Sequence, residues 1–223
     1  MLFRSLGKRT EGRSPKINEF VPLASLDDVE GLAGVVLDAD ALNALAKAQG
    51  WHARLALPRI LTPHPAEMGR LIGVSSEDVQ AARLTVATRY ANQSGSIVVL
   101  KGACTIVAHP DGRARLSEVA TSALAHAGTG DVLAGLIAGF LAQGLEPFEA
   151  ACAGVAVHAE CGRRAAGSLG AASTLASDLL RLLPEVRRSV DPRGPALQML
   201  ATGGDDRDAR LMQGAEWYNR QNG

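Results

Sequence analysis

The chain has 223 residues with 23 basic and 23 acidic side chains, so its formal net charge is zero. A balanced charge argues against nucleic acid or an anionic membrane as a partner, and the length suits one domain with tails. The three cysteines lack metal-ligand spacing, and no apolar run reaches transmembrane length, so we expect a cytoplasmic protein with reduced thiols.

Residues 1–34 carry the weakest pattern in the chain. Residues 1–15 mix basic side chains with Gly and Ser and show no period, which predicts a flexible arm. Residues 17–26 predict a short helix. We therefore expect the folded domain to begin at residue 35.

A buried strand is predicted at Val35–Leu37, and a helix is predicted at residues 41–48. Asp38 and Asp40 lie between the two elements. Carboxylates that follow a strand lie at the carboxyl edge of a parallel sheet, where α/β folds bind ligands. The alternative for both residues is to cap the helix.

A second strand is predicted at residues 59–62, and it leads into Pro63-His64-Pro65. The two prolines fix the backbone around His64, and Pro65 suits the first position of the next helix. His64 is therefore either a structural residue or a ligand contact at the same sheet edge. Glu67 falls in the first helical turn, where the alternative role is a favourable interaction with the helix dipole.

A capping box at residues 75–78 predicts one helix that runs to about Asn92. The strongest strand follows at residues 97–100 and delivers Lys101–Thr105 to the same edge. A cation followed by Gly102 suits phosphate contact, because a glycine lets the backbone approach closely. The alternative is an exposed lysine in a hairpin.

Residues 125–135 read AHAGTGDVLAG and predict a helix from near Gly130 to Gly144. The unpaired amides of its first turn and the helix dipole form a site for phosphate. Asp131 would repel that phosphate, so its presence indicates proton transfer beside it. The alternative is a glycine turn followed by an ordinary acidic first turn.

The remaining elements are predicted from composition and spacing. They are a hairpin at 106–108 and 114–116, a long buried helix at 147–166, and a shorter helix at 174–183. Residues 191–223 are polar and contain Pro and Gly, which predicts a disordered tail. The folded domain is therefore expected at residues 35–190.

Four segments match one pattern in the same order. They are VVLDADALNALA at 35–46, ILTPHPAEM at 60–68, VVLKGACTIVAHPDG at 98–112 and AHAGTGDVLAGLIAGFLAQGLEPFEAACAGVAVHAECG at 125–162. Together they resemble the ADP/ATP-dependent NAD(P)H-hydrate dehydratase family. The resemblance implies an α/β fold, a ribokinase-like three-layer sandwich with a mostly parallel sheet. It also implies removal of water from hydrated NADH or NADPH at the expense of a nucleotide phosphate.

The resemblance assigns roles to residues by their positions in these segments. Asp131 is implied as the catalytic acid/base, and it shares the implied substrate site with His64, Asp38 and Asn43. The nucleotide site is implied at Lys101, Gly102, Ala103, Cys104, Thr105, Gly128, Thr129 and Gly130. ADP or ATP with Mg²⁺ is the implied cofactor, and the resemblance implies no metal ligands from the protein itself.

The chain departs from the family pattern near its N-terminus. Residues 10–15 lie where the family has a substrate-binding GPGLG turn, and Thr121-Ser122 replaces an NP-type pair. We therefore expect an N-terminally truncated member with an intact nucleotide half. Two alternatives to an active dehydratase stay open: a non-catalytic remnant that binds nucleotide, and a small-molecule kinase, which the TPHPAE and DADALN blocks disfavour. For the assembly, a monomer and a homo-oligomer both stay open.

Overall fold

The computed structural model describes residues 32–48 and 50–189, together with the backbone of 198–200. The strands are β1 (Val35–Leu37), β2 (Arg59–Leu61), β3 (Ile97–Leu100), β4 (Ile106–Ala108), β5 (Ala114–Leu116) and β6 (Gln198–Leu200). The helices are α1 (Asp40–Leu45), α2 (Pro65–Ile72), α3 (Ser76–Ala81), α4 (Arg83–Ser94), α5 (Thr129–Ala142), α6 (Pro147–Leu169) and α7 (Ala176–Ser189). The expected N-terminal arm, and the tail apart from 198–200, lie outside the described residues.

Strands β1, β2 and β3 form the parallel part of the sheet. Within the described residues the strand order is β1-β2-β3-β4-β5-β6, with Leu37 paired to Leu61 and Leu61 to Val98. The predicted parallel neighbours are therefore confirmed. The pairs β3–β4, β4–β5 and β5–β6 are antiparallel. Because β1, β2 and β3 run in the same direction, their carboxyl ends meet at one edge.

Alternating side chains along the strands bury both faces of the sheet. Leu61 and Val98 pack into a core cluster with side chains of α1, α2, α3 and α4. Ile60 and Val99 pack into a second cluster with side chains of α5 and α6. Burial on both faces explains why these strands read as continuous apolar runs. The expected three-layer α/β sandwich is confirmed.

The helix predicted from residue 75 to residue 92 is wrong in one respect, because it is two helices. Ala82 lies between them with φ −140° and ψ 43°, outside the helical region. The capping box predicted at its start is confirmed, since Ser75 and Asp78 bond reciprocally. Arg83, the first residue after the break, donates side-chain hydrogen bonds to the backbone carbonyls of Leu100 and Lys101 at the end of β3.

The C-terminal segments also differ from the predictions. α7 continues past the predicted end at residue 183 and contains Pro184, because Leu179 and Val186 are buried in a cluster with α6 side chains. Gln198–Leu200 pair with β5 as strand β6, where the composition predicts a disordered tail. The backbone hydrogen bonds of the sheet edge provide an order that composition does not indicate.

Helices α5 and α6 pack closely because a small residue lies between them. Gly154 of α6 is buried, and an added Cβ would lie 2.5 Å from Ile137 Cγ1 and 3.2 Å from the Ile137 backbone nitrogen. α6 is 23 residues long and is buried along most of its length. In the part of the chain that the structure describes, none of the helices has the length and apolar character that a bilayer crossing requires.

Replacing Gly154 with alanine is expected to destabilise the protein by about 1–3 kcal/mol, because the new methyl group meets backbone atoms of α5. Gly167→Ala in the same helix is the control, since nothing lies within 4 Å of its added Cβ. That variant should be neutral or stabilise the protein by up to about 1 kcal/mol. Urea unfolding measures both effects, and equal unfolding free energies for the two variants would contradict the close packing.

Candidate functional site

A cleft of about 960 Å³ opens at the carboxyl edge of the parallel strands. His64, Lys101 and Gly130 line it, so it lies where the chain leaves β2 and β3 and where α5 begins. This edge is the usual ligand site of α/β sheets. Arg83 and His158 also line the cleft.

An ion pair between Lys101 and Asp38 joins the ends of β3 and β1. Lys101 Nζ lies 2.8 Å from Asp38 Oδ1 and 3.8 Å from Oε2 of Glu67 in α2. Both carboxylates are buried. Among the described residues, α1 has Ala39 as its N-cap and no side-chain cap, so the capping alternative for Asp38 is not observed. Asp38 therefore faces the cleft lysine rather than the helix end.

His64 caps α2 with its own ring. Nδ1 accepts hydrogen bonds from the backbone amides of Ala66 (3.2 Å) and Glu67 (3.3 Å), and the Glu67 carboxylate accepts one from the backbone N–H of His64 (2.8 Å). Because Nδ1 is an acceptor, the neutral ring carries its proton on Nε2, which lies 3.3 Å from Glu67 Oε1. The side chain is still 46% exposed. His64 therefore combines the structural role with access to a ligand.

The start of α5 is shaped by Gly128 and Thr129. Gly128 is the N-cap and has φ +87°, in the left-handed region that favours glycine. The Thr129 hydroxyl lies 2.7 Å from the carbonyl of Leu124 and 2.8 Å from that of His126, so it donates its one proton to either. These contacts fix the entry of the chain into the helix.

Gly130 brings the first turn of α5 against the ion pair. An added Cβ at this position would lie 3.4 Å from Lys101 Nζ and 3.9 Å from Asp38 Oδ2. The first backbone amides of a helix have no partner within the helix and favour anions. A potential anion site and a buried ion pair are therefore immediate neighbours.

His158 anchors the same turn from α6. Its Nε2 lies 2.9 Å from the carbonyl oxygen of Thr129, and because a carbonyl oxygen can only accept, Nε2 carries the proton. Burial lowers the pKa of His158 to about 4, the charge of Lys101 acts in the same direction, and the hydrogen bond to Thr129 opposes them. His158 is therefore a neutral donor at neutral pH.

The structure brings most of the predicted nucleotide residues together. The cleft lining includes Lys101, Gly102, Ala103, Thr105, Thr129 and Gly130, with His64 from the predicted substrate site. Cys104 and Gly128 belong to the same two loops but lie outside the lining.

Three predicted substrate residues, Asp38, Asn43 and Asp131, lie outside the cleft lining, although Asp38 contacts Lys101 at its edge. Asn43 Oδ1 accepts a hydrogen bond from Arg70 Nη1 at 2.9 Å. Asp131 lies in the first turn of α5 with its side chain exposed. The roles assigned to Asn43 and Asp131 stay predictions.

Three residues of the site do not emerge from the sequence analysis in these roles. Glu67 is expected there only as a dipole partner, although its position three residues after His64 is the spacing of a capping box. Arg83 is the first residue of a helix, where a cation is unfavourable. This unfavourable position indicates that its side chain interacts with another part of the structure. His158 stands in a run of small apolar residues, and nothing in that run indicates its partner.

The chain is similar to proteins of one family. The NAD(P)H-hydrate dehydratase family pattern matches residues 12–185. An ADP-dependent (S)-NAD(P)H-hydrate dehydratase of Neisseria meningitidis is 48% identical over 126 residues, which cover 56% of this chain and 43% of that protein.

Two solved structures share the fold. The ADP/ATP-dependent NAD(P)H-hydrate dehydratase of Bacillus subtilis, co-crystallised with ATP and Mg²⁺, is 37% identical with a TM-score of 0.64, over 70% of this chain and 56% of that one. A ribokinase-like superfamily protein of Enterococcus faecalis is 27% identical with a TM-score of 0.61, over 71% of this chain and 54% of that one. The expected ribokinase-like fold is confirmed. The chain thus spans about half the length of these relatives.

Protonation of His158 is expected to weaken the fold as the pH falls. The unfolded chain takes up this proton near pH 6.5 and the folded chain near pH 4. Stability is therefore lost between these two values, on the order of 3 kcal/mol in total. His158→Gln keeps a donor for the Thr129 carbonyl but does not titrate. Urea unfolding at several pH values should show a steeper loss in the wild type than in the variant, and parallel curves would contradict this role.

Proposed function

Because this chain belongs to the NAD(P)H-hydrate dehydratase family, we propose that it removes water from hydrated NADH or NADPH at the expense of ADP or ATP. The observation that carries the proposal is the meeting of three features at one cleft. They are the Lys101–Thr105 loop, the first turn of α5 and the Asp38–Lys101 ion pair. Relatives named as ADP-dependent, and one crystallised with ATP and Mg²⁺, support the choice of nucleotide.

In the proposed reaction, the phosphates bind the amides of residues 129–131 at the positive end of the α5 dipole. Asp131 takes the proton of the ring hydroxyl, and the hydroxyl oxygen then bonds to the terminal phosphorus of the nucleotide. The bond from that phosphorus to the bridging oxygen breaks at the same time. The ring C–O bond then breaks with loss of a proton from the neighbouring carbon, which releases phosphate and restores the double bond. Phosphorylation thus turns a poor leaving group into a good one.

The substrate residues in this proposal are His64, Asp38 and Asn43. The exposed part of the His64 ring can contact the hydrated ring, because nearly half of its side chain is exposed at the cleft. Asp38 holds Lys101 beside the first turn of α5. His64 and Asp38 each follow a parallel strand, so a ring bound at this edge would reach both of them.

Mg²⁺ accompanies the nucleotide in this proposal. Among the described residues, no group of three or more His, Cys, Asp or Glu could hold a metal ion. Asp38 and Glu67 already neutralise Lys101, so the donor set fits an ion held by phosphate oxygens and water. When bound there, the ion would neutralise phosphate charge.

We also propose a cytoplasmic location, which the three free cysteines support because free thiols suit a reducing compartment. The proposal includes no nucleic-acid or membrane partner. Light scattering of the purified protein distinguishes a monomer from a homo-oligomer.

Adenine nucleotide is expected to bind with Mg²⁺ and to lose affinity in two variants. Gly130→Val puts a branched side chain against Lys101, and Lys101→Ala removes the cation that follows β3. Each should weaken ADP binding by about tenfold or more, because the first variant crowds the first turn of α5 and the second leaves Asp38 and Glu67 as uncompensated negative charges beside it. Lys47→Ala, an exposed lysine after α1, is the control. Calorimetry measures the affinities, and equal values for all four proteins would reject the site.

Asp131→Asn is expected to lower the dehydration rate by about 10²- to 10⁴-fold, the usual contribution of a positioned proton acceptor. Nucleotide affinity should stay nearly unchanged, because the helix amides remain. Recovery of NADH absorbance from hydrated NADH with ADP or ATP measures the rate. His64→Ala should mainly raise KM for the hydrated substrate.

Glu149→Gln is the control for this assay, since Glu149 lies in the first turn of another helix, α6. It should keep full activity. An Asp131→Asn variant as fast as the wild type would disprove the role of Asp131. If the wild-type protein binds nucleotide but shows no turnover, the dehydratase proposal is rejected in favour of a non-catalytic nucleotide-binding protein.

A further inference from the structure

Arg83 fastens the loop that follows β3. Its guanidinium group donates hydrogen bonds to the backbone carbonyls of Leu100 (3.1 Å), Lys101 (3.4 Å) and Ala103. Arg83 is also the first residue of α4, where a cation faces the positive end of the helix dipole. The loop, and not the helix, therefore explains an arginine at this position.

The loop has a backbone conformation that needs support. Gly102 has φ +141°, and Cys104, which carries a side chain, has φ +55°. Left-handed backbone at a non-glycine residue persists where surrounding contacts enforce it. An added Cβ at Gly102 would lie 3.0 Å from Arg83 Nη2. The glycine therefore leaves room for the guanidinium group that holds the loop.

Arg83 also carries a charge that no described carboxylate neutralises. Lys101, which lines the same cleft, has Asp38 and Glu67 as partners. Within the described residues Arg83 bonds carbonyls instead, and its Nε is buried without a hydrogen-bond partner. Burial lowers the pKa of Arg83, yet a guanidinium group stays protonated. A partly buried cation without a counterion is costly, and an anionic ligand would reduce that cost.

We propose that Arg83 is a positioning residue of the nucleotide site. Arg83 holds the Lys101–Thr105 loop in its binding conformation, and its charge favours a polyphosphate ligand. This inference rests on the proposed function, because it takes ADP or ATP as the ligand. Lysine is not an adequate replacement, since one ammonium group does not span three carbonyls as a planar guanidinium group does.

Calorimetric titration of the full chain with ADP and ATP, each with Mg²⁺, tests this role. Arg83→Ala and Arg83→Lys are expected to weaken both nucleotides by about 10- to 100-fold. Arg89→Ala, an exposed arginine of the same helix, is the matched control and should keep the wild-type affinity. Guanidinium ion at a non-denaturing concentration should restore binding to Arg83→Ala without improving the wild type. Thermal melts establish that each variant is folded.

The outcomes separate this inference from the proposed function. Unchanged affinity in a folded Arg83→Lys protein would overturn the positioning role while leaving the proposed function in place. A lower melting temperature with unchanged affinity would do the same, because it would make Arg83 structural only. Absence of nucleotide binding in the wild type would overturn both. If Arg83→Ala does not fold, the affinity of Arg83→Lys decides the matter.

Discussion

The site depends on the ion pairs that Lys101 makes with two buried carboxylates. Asp38 follows β1, Lys101 follows β3, and Glu67 lies in the helix after β2, so one ammonium group ties together the ends of all three parallel strands. Burial makes the arrangement mutually dependent, because removing one partner leaves the others as uncompensated buried charges. The ion pair thus links the order of the sheet edge to the geometry of the cleft.

Glu67 extends this dependence to the start of α2. The same carboxylate lies near Lys101 and accepts the backbone N–H of His64, and the His64 ring in turn caps the helix. The backbone continues the connection, since the amide of Lys101 donates to the carbonyl of Pro63 at 2.8 Å. The exposed imidazole at the cleft is therefore oriented by the same contacts that begin the helix.

Charge is unevenly distributed along the cleft. Asp38 and Glu67 outnumber the single ammonium group between them, so this part of the site does not attract an anion strongly. The features that favour an anion are the first-turn amides of α5, anchored by His158, and the loop held by Arg83. In the proposed reaction the phosphates therefore bind at the first turn of α5 and at the loop held by Arg83, rather than at the Asp38–Lys101 ion pair.

The sequence by itself determined strands β1 to β5, the sheet edge and most of the loops around the cleft. Continuous apolar runs such as Ile97–Leu100 indicate strands buried on both faces, and polar residues such as Lys101 at their ends indicate a ligand edge. The partners of those residues were decided by the tertiary structure. Lys101 and Asp38 are 63 residues apart, and His158 and Thr129 are 29 apart. Local sequence patterns determine where strands and helices form. Contacts between residues that far apart in the sequence form only when the layers of the fold pack together.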